Sequence, residues 1–436
     1  MTETTIIDWA RGDRLGIDLP AHPGALLAGG PAFLTRALHA SGGLSPDNKV
    51  AAITHFEEWQ VGGTGAKAMF SVAYEREEPG LSHDLFAKFS RSFTDRTRDR
   101  VRFHMEPEVK LANLSRAPDF PIAVPKCVYA DFQQASGTGV LITERIPFGQ
   151  GAVEPHHHKC MDHLLPEPIE HYRALIATLG HFSGTHKSGR LGPSVERDFP
   201  FDLEQQIVNR RNHYDGPQLA DRARRLANFI AQYPHLVPPH LADPAFLEGF
   251  CADAPLLIAQ QDAISRFLLS RPEMIALCHW NANIDNAWFW REPDGRLQCG
   301  LIDWGSVGQM HVCQTIWGSL GGSEPDMLDW HLGELIDLFI AEYARAGGPA
   351  LDRAELEQHL ELFVITSGLG SMMIAPRAIL SEVPDPGLAA DRYDPVFTVN
   401  ETARVQLKIT VSFLNMWHRR DLGRLLRPDR AGPWRA

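Results

Sequence analysis

The stretch that decides the fold begins Cys278-His279-Trp280-Asn281-Ala282-Asn283-Ile284-Asp285-Asn286-Ala287-Trp288-Phe289-Trp290. It turns at Glu292-Pro293-Asp294-Gly295, returns through Leu297 to Leu301 and ends on Ile302-Asp303-Trp304-Gly305. Pro-Asp-Gly between two short apolar runs is turn chemistry, so a β-hairpin is expected, with Asn286 at its entrance and Asp303 at its exit. Antiparallel pairing brings the two ends of a hairpin together. An amide oxygen beside a carboxylate oxygen makes a pair of hard donors, suited to Mg²⁺ next to phosphates.

Around this hairpin the sequence is helical in period. Ile169, Tyr172, Leu175, Ile176 and Leu179 fall at helical spacing, as do Leu332, Leu335, Ile336, Phe339 and Tyr343. Gly347-Gly348 ends the second of these helices. Asp352 with Glu355 three residues on forms a capping box for the next helix, and 401–419 reads as a last long helix. Upstream the character differs. Ala51 to Val61, Ala68 to Tyr74, Asp84 to Phe89, Val128 to Ala130 and Gly139 to Glu144 read as strands. Gly62-Gly63-Thr64-Gly65 and Pro79-Gly80 separate the first three, and a polar, Arg-rich helical stretch runs from about Thr94 to Leu114. The expected class is α+β, with an antiparallel-sheet lobe over 51–146 and a large, mostly helical lobe over 147–436. Residues 1–50 read as an extension holding a short helix, Pro31 to Ala40, stopped by Ser41-Gly42-Gly43.

Composition sets limits. The chain has 436 residues, 44% hydrophobic and 22% charged, ordinary for a globular protein of more than one small domain. Its 42 Lys and Arg against 54 Asp and Glu leave a net charge of −12, which argues against a nucleic-acid partner. No apolar run of membrane-spanning length occurs and the first residues do not read as a secretory signal, so no membrane partner is expected. Six scattered cysteines without a CxxC pair suit a reducing, cytoplasmic setting.

The order His279-x-Asn281-x-x-x-x-Asn286, hairpin, Ile302-Asp303-Trp304-Gly305 resembles the aminoglycoside, choline and ecdysteroid kinase-like phosphotransferases. The resemblance spans about 50 to about 345. It implies a bilobal protein-kinase-like fold and an ATP- and Mg²⁺-dependent transfer to a hydroxyl of a small-molecule acceptor. It also implies roles by position: Asn286 and Asp303 hold Mg²⁺, and His279 braces the loop. Asn281 stands where the family carries its catalytic Asp. An amide cannot take the hydroxyl proton, and a general base is worth about 10²–10⁴-fold. Two alternatives therefore accompany the kinase reading: a catalytically impaired nucleotide-binding module with a regulatory role, and an AMP transferase.

The resemblance further implies a nucleotide clamp in the first lobe. Gly62-Gly63-Thr64-Gly65 would cover the phosphates, though glycines between strands also serve plain hairpin turns. Lys88, inside the apolar run Leu85-Phe86-Ala87-Lys88-Phe89, needs an anionic partner and would bind the phosphates. Glu108 is its expected partner, with Glu106 the alternative. Backbone groups near Glu144 and Ile146 would meet the adenine edge.

Other features carry less. Glu154 to Cys160, with His163, reads as a solvated loop, because adjacent histidines on a loop do not converge on a metal without special geometry. Cys278 reads as a buried structural thiol. Trp280, Trp288, Trp290, Trp304 and Trp317 read mostly as core, with one or two lining a pocket for an apolar or aromatic acceptor. Arg392-Tyr393-Asp394-Pro395 reads as the turn leading into the last helix.

Overall fold

A computed structural model describes residues 7–59, 65–427 and 434. The chain divides into two compact units. The first comprises Met1–Val153, Arg197–Phe199 and Gly300–Val307; the second comprises Glu154–Glu196, Pro200–Cys299 and Gly308–Ala436.

The first unit is built on five antiparallel strands: β3 (Val50–Trp59), β4 (Lys67–Tyr74), β5 (Asp84–Phe89), β6 (Cys127–Gln133) and β7 (Thr138–Glu144), in the order β3-β4-β5-β7-β6. Side-chain alternation explains the two faces. Ala68, Phe70 and Val72 of β4, Leu85, Ala87 and Phe89 of β5, and Val140 and Ile142 of β7 all enter one core. Leu141, Cys127, Ala130 and Phe132 point to the other side, where they meet Met105 and Val109. Val109 belongs to the helix Glu106–Leu114. The single helical stretch expected over 94–114 is in fact two helices, Arg98–Val101 and Glu106–Leu114. Pro107 explains the second start, since the first turn is where a helix tolerates proline.

Residues 7–50, expected to be an extension, add to this core. A small antiparallel hairpin, β1 (Trp9–Arg11) and β2 (Asp18–Pro20), precedes a helix over Pro23–Ser41. That helix bends at Gly30, whose φ of 53° only glycine adopts easily, directly before Pro31. Leu26, Phe33, Leu34 and Leu38 bury themselves in the same core as β4 and β5. The fully buried Asp131 of β6 ties the hairpin down by accepting the N–H groups of Arg14 (3.1 Å) and Leu15 (2.9 Å).

The second unit is mainly helical. Helix Pro168–Lys187 lies close against helix Pro325–Arg345 because glycines face the contact. A Cβ on Gly180 would sit 2.8 Å from the Phe339 carbonyl, and one on Gly184 would sit 2.2 Å from that of Tyr343. Asp352 caps the helix Arg353–Ser371 by accepting the N–H of Glu355 at 2.8 Å, and the last long helix is Glu401–Arg419. Among the described residues one helical run, Arg353–Glu382, is long and apolar enough by length and composition to cross a membrane. Its most apolar window is 56% buried inside the protein, as the core helix of a folded unit requires.

Two short strands, β8 (Ile275–Cys278) and β11 (Gly308–His311), pair antiparallel, with Cys278 opposite Gly308. Between them run β9 (Ala287–Arg291) and β10 (Leu297–Leu301), joined by a turn in which the Glu292 N–H donates to the Arg296 carbonyl at 3.0 Å. Gly295 holds φ at 86° there, which is why the turn carries glycine.

Candidate functional site

In the first unit, Lys88 stands near the end of β5, opposite Lys67 of β4 and Leu141 of β7. Its side chain therefore emerges on the face covered by helix Glu106–Leu114. Its Nζ lies 3.0 Å from Oε1 and 2.8 Å from Oε2 of Glu108, and 2.5 Å from Oδ1 of Asp303. Lys88 and Glu108 are both only 4% exposed, so each charge depends on the other for its solvation. Burial pulls the Lys88 ammonium down, but the two carboxylates outweigh it and hold it above the ordinary lysine range. Glu106, the alternative partner, instead pairs along its own helix with Lys110 at 2.8 Å.

Asp303 reaches the lysine from the Gly300–Val307 segment. A parallel bridge from Gly300 to Ala123 sets that segment into the first unit, and the Leu301 N–H donates to the Ala123 carbonyl at 3.0 Å. Asp303 has φ 59° and Ser306 has φ 62°, both left-handed. Aspartate and a small polar residue tolerate this better than most side chains. Trp304 is buried and its Nε1 donates to the Leu301 carbonyl at 3.1 Å, which closes the turn that aims Asp303.

Gly62, Gly63 and Thr64 lie outside the described residues. Gly65 has a structural reason of its own: at φ 146° a Cβ there would fall 2.1 Å from the Phe89 carbonyl. At the other end of the sheet, the Glu144 N–H donates to the Lys126 carbonyl at 3.0 Å, and the Glu144 carbonyl accepts the Thr143 hydroxyl at 2.9 Å. The Ile146 carbonyl accepts the N–H of Phe148 at 3.0 Å.

In the second unit, the loop after β8 gathers His279, Asn281 and Asn286. His279 is buried; its Nδ1 accepts the Asn281 N–H at 3.2 Å and its carbonyl accepts the Thr315 hydroxyl at 2.7 Å. Asn286 donates from Nδ2 to the Asn281 carbonyl at 2.8 Å. Asn283 donates from Nδ2 to Oδ1 of Asn281 at 2.5 Å. The helix Val312–Leu320 presses on this loop so closely that a Cβ on Gly318 would sit 2.1 Å from the Trp280 carbonyl. Asn283, Thr315 and Gly318 carry no mark in the sequence. They act through ordinary polar or small groups, and only proximity in the fold gives them a role.

The neighbouring candidates resolve as follows. Asp285 is partly buried, burial raises its carboxyl, and its Oδ1 has no partner among the described residues. Cys278 is buried beside Ser183, its thiol pushed up to about 12, which removes it as a nucleophile at neutral pH. All six cysteines are free thiols. Trp288, Trp304 and Trp317 are core, while Trp280 is 42% exposed on the Asn281 loop.

A lysine locked by carboxylates presents fixed positive charge to an anion, and carboxylate and amide oxygens are the donors Mg²⁺ prefers. No family model matches the chain, and no curated protein matches it significantly. Among solved structures it is similar to a choline kinase from Cryptosporidium parvum Iowa II, with 14% identity, 84% of this chain and 91% of that chain covered, and a TM-score of 0.41. It is also similar to Plasmodium vivax ethanolamine kinase, with 14% identity, coverage of 85% and 83%, and a TM-score of 0.42. A third is an aminoglycoside-3'-phosphotransferase of type VIII, with 18% identity, coverage of 77% and 98%, and a TM-score of 0.36.

Proposed function

We propose that the chain is an ATP- and Mg²⁺-dependent phosphotransferase acting on a hydroxyl of a small molecule. The observation that carries this reading is the buried Lys88, fixed by Glu108 and Asp303. Phosphoryl transfer asks for positioning and charge stabilisation more than for covalent chemistry. A lysine whose carboxylate partners fix its position supplies such charge without reorganising at the moment of reaction. In this reading Lys88 binds nucleotide phosphates, Glu108 positions Lys88, and Asp303 and Asn286 are the Mg²⁺ ligands. His279 holds the loop by accepting the Asn281 N–H, and Asn281 orients the acceptor hydroxyl. Bound Mg²⁺ would neutralise charge on the phosphates. Gly62 to Gly65 and the backbone at Glu144 and Ile146 are the proposed nucleotide contacts, and the acceptor is apolar or aromatic.

A second reading, a nucleotide-binding module without efficient transfer, is favoured by one observation. Position 281 carries an amide, and its oxygen already accepts an N–H from Asn283. Transfer of AMP instead of phosphate is a third outcome of the same site.

The test is a thermal-shift measurement with ATP, with and without Mg²⁺, followed by a panel of hydroxylated metabolites and mass analysis of the products. The reading requires a Mg²⁺-dependent shift that Lys88→Ala and Asp303→Ala remove, and a phosphate adduct instead of an adenylyl one. No shift in the native chain would overturn both nucleotide readings.

A further inference from the structure

Glu154 and His157 sit on the loop that opens the second unit's chain, and His171 lies in the first turn of helix Pro168–Lys187. Their ligating atoms nonetheless fall within 4.8 Å of one another. Oε2 of Glu154 is 2.9 Å from Nε2 of His157 and 2.8 Å from Nε2 of His171. The two rings stand at 89°, so two imidazole nitrogens approach one carboxylate oxygen from different directions. In sequence this stretch reads as a solvated loop, because neighbouring histidines alone do not converge. The convergence comes from the helix, which brings in His171 and not His163.

This arrangement is held from behind. The Glu154 N–H donates to the Phe289 carbonyl of β9 at 2.8 Å. Both rings pack on the Phe289 side chain, with centroid distances of 5.7 Å for His157 and 4.8 Å for His171. His171 is buried. Around a zinc ion with bonds of about 2.0–2.1 Å, tetrahedral ligands stand roughly 3.3 Å apart. The two carboxylate–imidazole separations would have to open by only about 0.5 Å to reach that spacing.

We propose that Glu154, His157 and His171 form a transition-metal site of the Zn²⁺ class, which pins the loop to helix Pro168–Lys187. Two imidazole nitrogens and one carboxylate oxygen suit zinc and its neighbours, whereas Mg²⁺ and Ca²⁺ favour all-oxygen sets. Three protein ligands leave a coordination position for water. Phe289, against which both rings pack, is three residues beyond Asn286, so the site backs onto the strand that follows the Asn281 loop. The second cluster of similar composition, Asp162, His163 and Glu324, does not compete. There the buried ammonium of Lys408 already pairs with Glu324, and Arg392 approaches the same carboxylate.

The full chain, stripped with chelator and free of nucleotide, should be titrated with Zn²⁺ by calorimetry and with Co²⁺ by visible absorption. The expected result is one tight equivalent of Zn²⁺, a tetrahedral Co²⁺ spectrum and a rise in Tm. Glu154→Gln and His157→Ala, both at partly exposed positions and checked for folding by circular dichroism, should weaken binding by at least about 10–100-fold and abolish the Tm rise. Asp303→Ala should leave the site intact, which separates it from the nucleotide reading. Failure of the native chain to bind Zn²⁺ overturns the proposal. Equal binding by His157→Ala also overturns it, because it would assign the metal to others of the 20 histidines.

Discussion

Asn283 donates its side-chain N–H to the side-chain oxygen of Asn281 across 2.5 Å, and so occupies the group that the proposed function assigns to an acceptor hydroxyl. An aspartate at 281 would accept the same N–H on one oxygen and keep the other for a proton. Asn281→Asp should therefore raise ATP turnover by about 10²–10⁴-fold, followed as ADP release. A fall in turnover would mean that the amide belongs to a working site.

Lys88 and Glu108 are buried as a pair, so each should be more costly to lose alone than together. Lys88→Met leaves a buried carboxylate short of its main cation and should cost about 3–5 kcal/mol of unfolding free energy. Lys88→Met with Glu108→Leu should recover most of that in urea denaturation, while neither variant responds to nucleotide. Equal losses in the single and double variants would show that the pair is not coupled.

Gly318 lets the helix Val312–Leu320 approach the Asn281 loop. The Cβ of Gly318→Ala would collide with a backbone carbonyl, so loop or helix must move. The expected cost is about 1–3 kcal/mol by chemical denaturation, together with lower turnover. Unchanged stability would mean that the loop yields freely.

Acid should weaken the second unit through a histidine pair. His359 Nδ1 lies 2.9 Å from His311 Nε2. Burial pushes His359 down to about 4 from its ordinary 6.5, and burial lowers His311 as well. The unfolded chain thus takes up these protons at higher pH than the folded one. Stability is full above about 6.5 and falls as pH drops toward 4, by up to about 3 kcal/mol for His359. His359→Gln should flatten this slope in pH-dependent Tm measurements; an unchanged slope would place the effect elsewhere.

Much of this was legible in the sequence, for identifiable reasons. A lysine inside Leu-Phe-Ala-Lys-Phe is conspicuous because apolar strands seldom carry a cation, and Glu108 lies where it can answer it. Pro293-Asp294-Gly295 and the glycines after residue 346 stop elements by local sterics. Pro31 reads as a helix start because proline suits a first turn, and Gly30 just before it is indeed non-helical; the helical segment from Pro23 that precedes the bend is held by tertiary packing of Leu26. The Asn283 contact and the Glu154–His171 approach depend on chain reversals that no local pattern encodes.

The segment Gly300–Val307 completes the first unit although both its flanks belong to the second. Lys88 therefore waits for Asp303 across 215 residues of chain. At a ribosomal pace of about 5–20 residues per second, that is a delay of roughly 10–40 s. Through that interval the nascent sheet can hold Lys88 against Glu108 alone, one cation to one anion. The third charge arrives only when the hairpin has been synthesised, so this corner of the protein is finished late in translation, long after its strands have emerged.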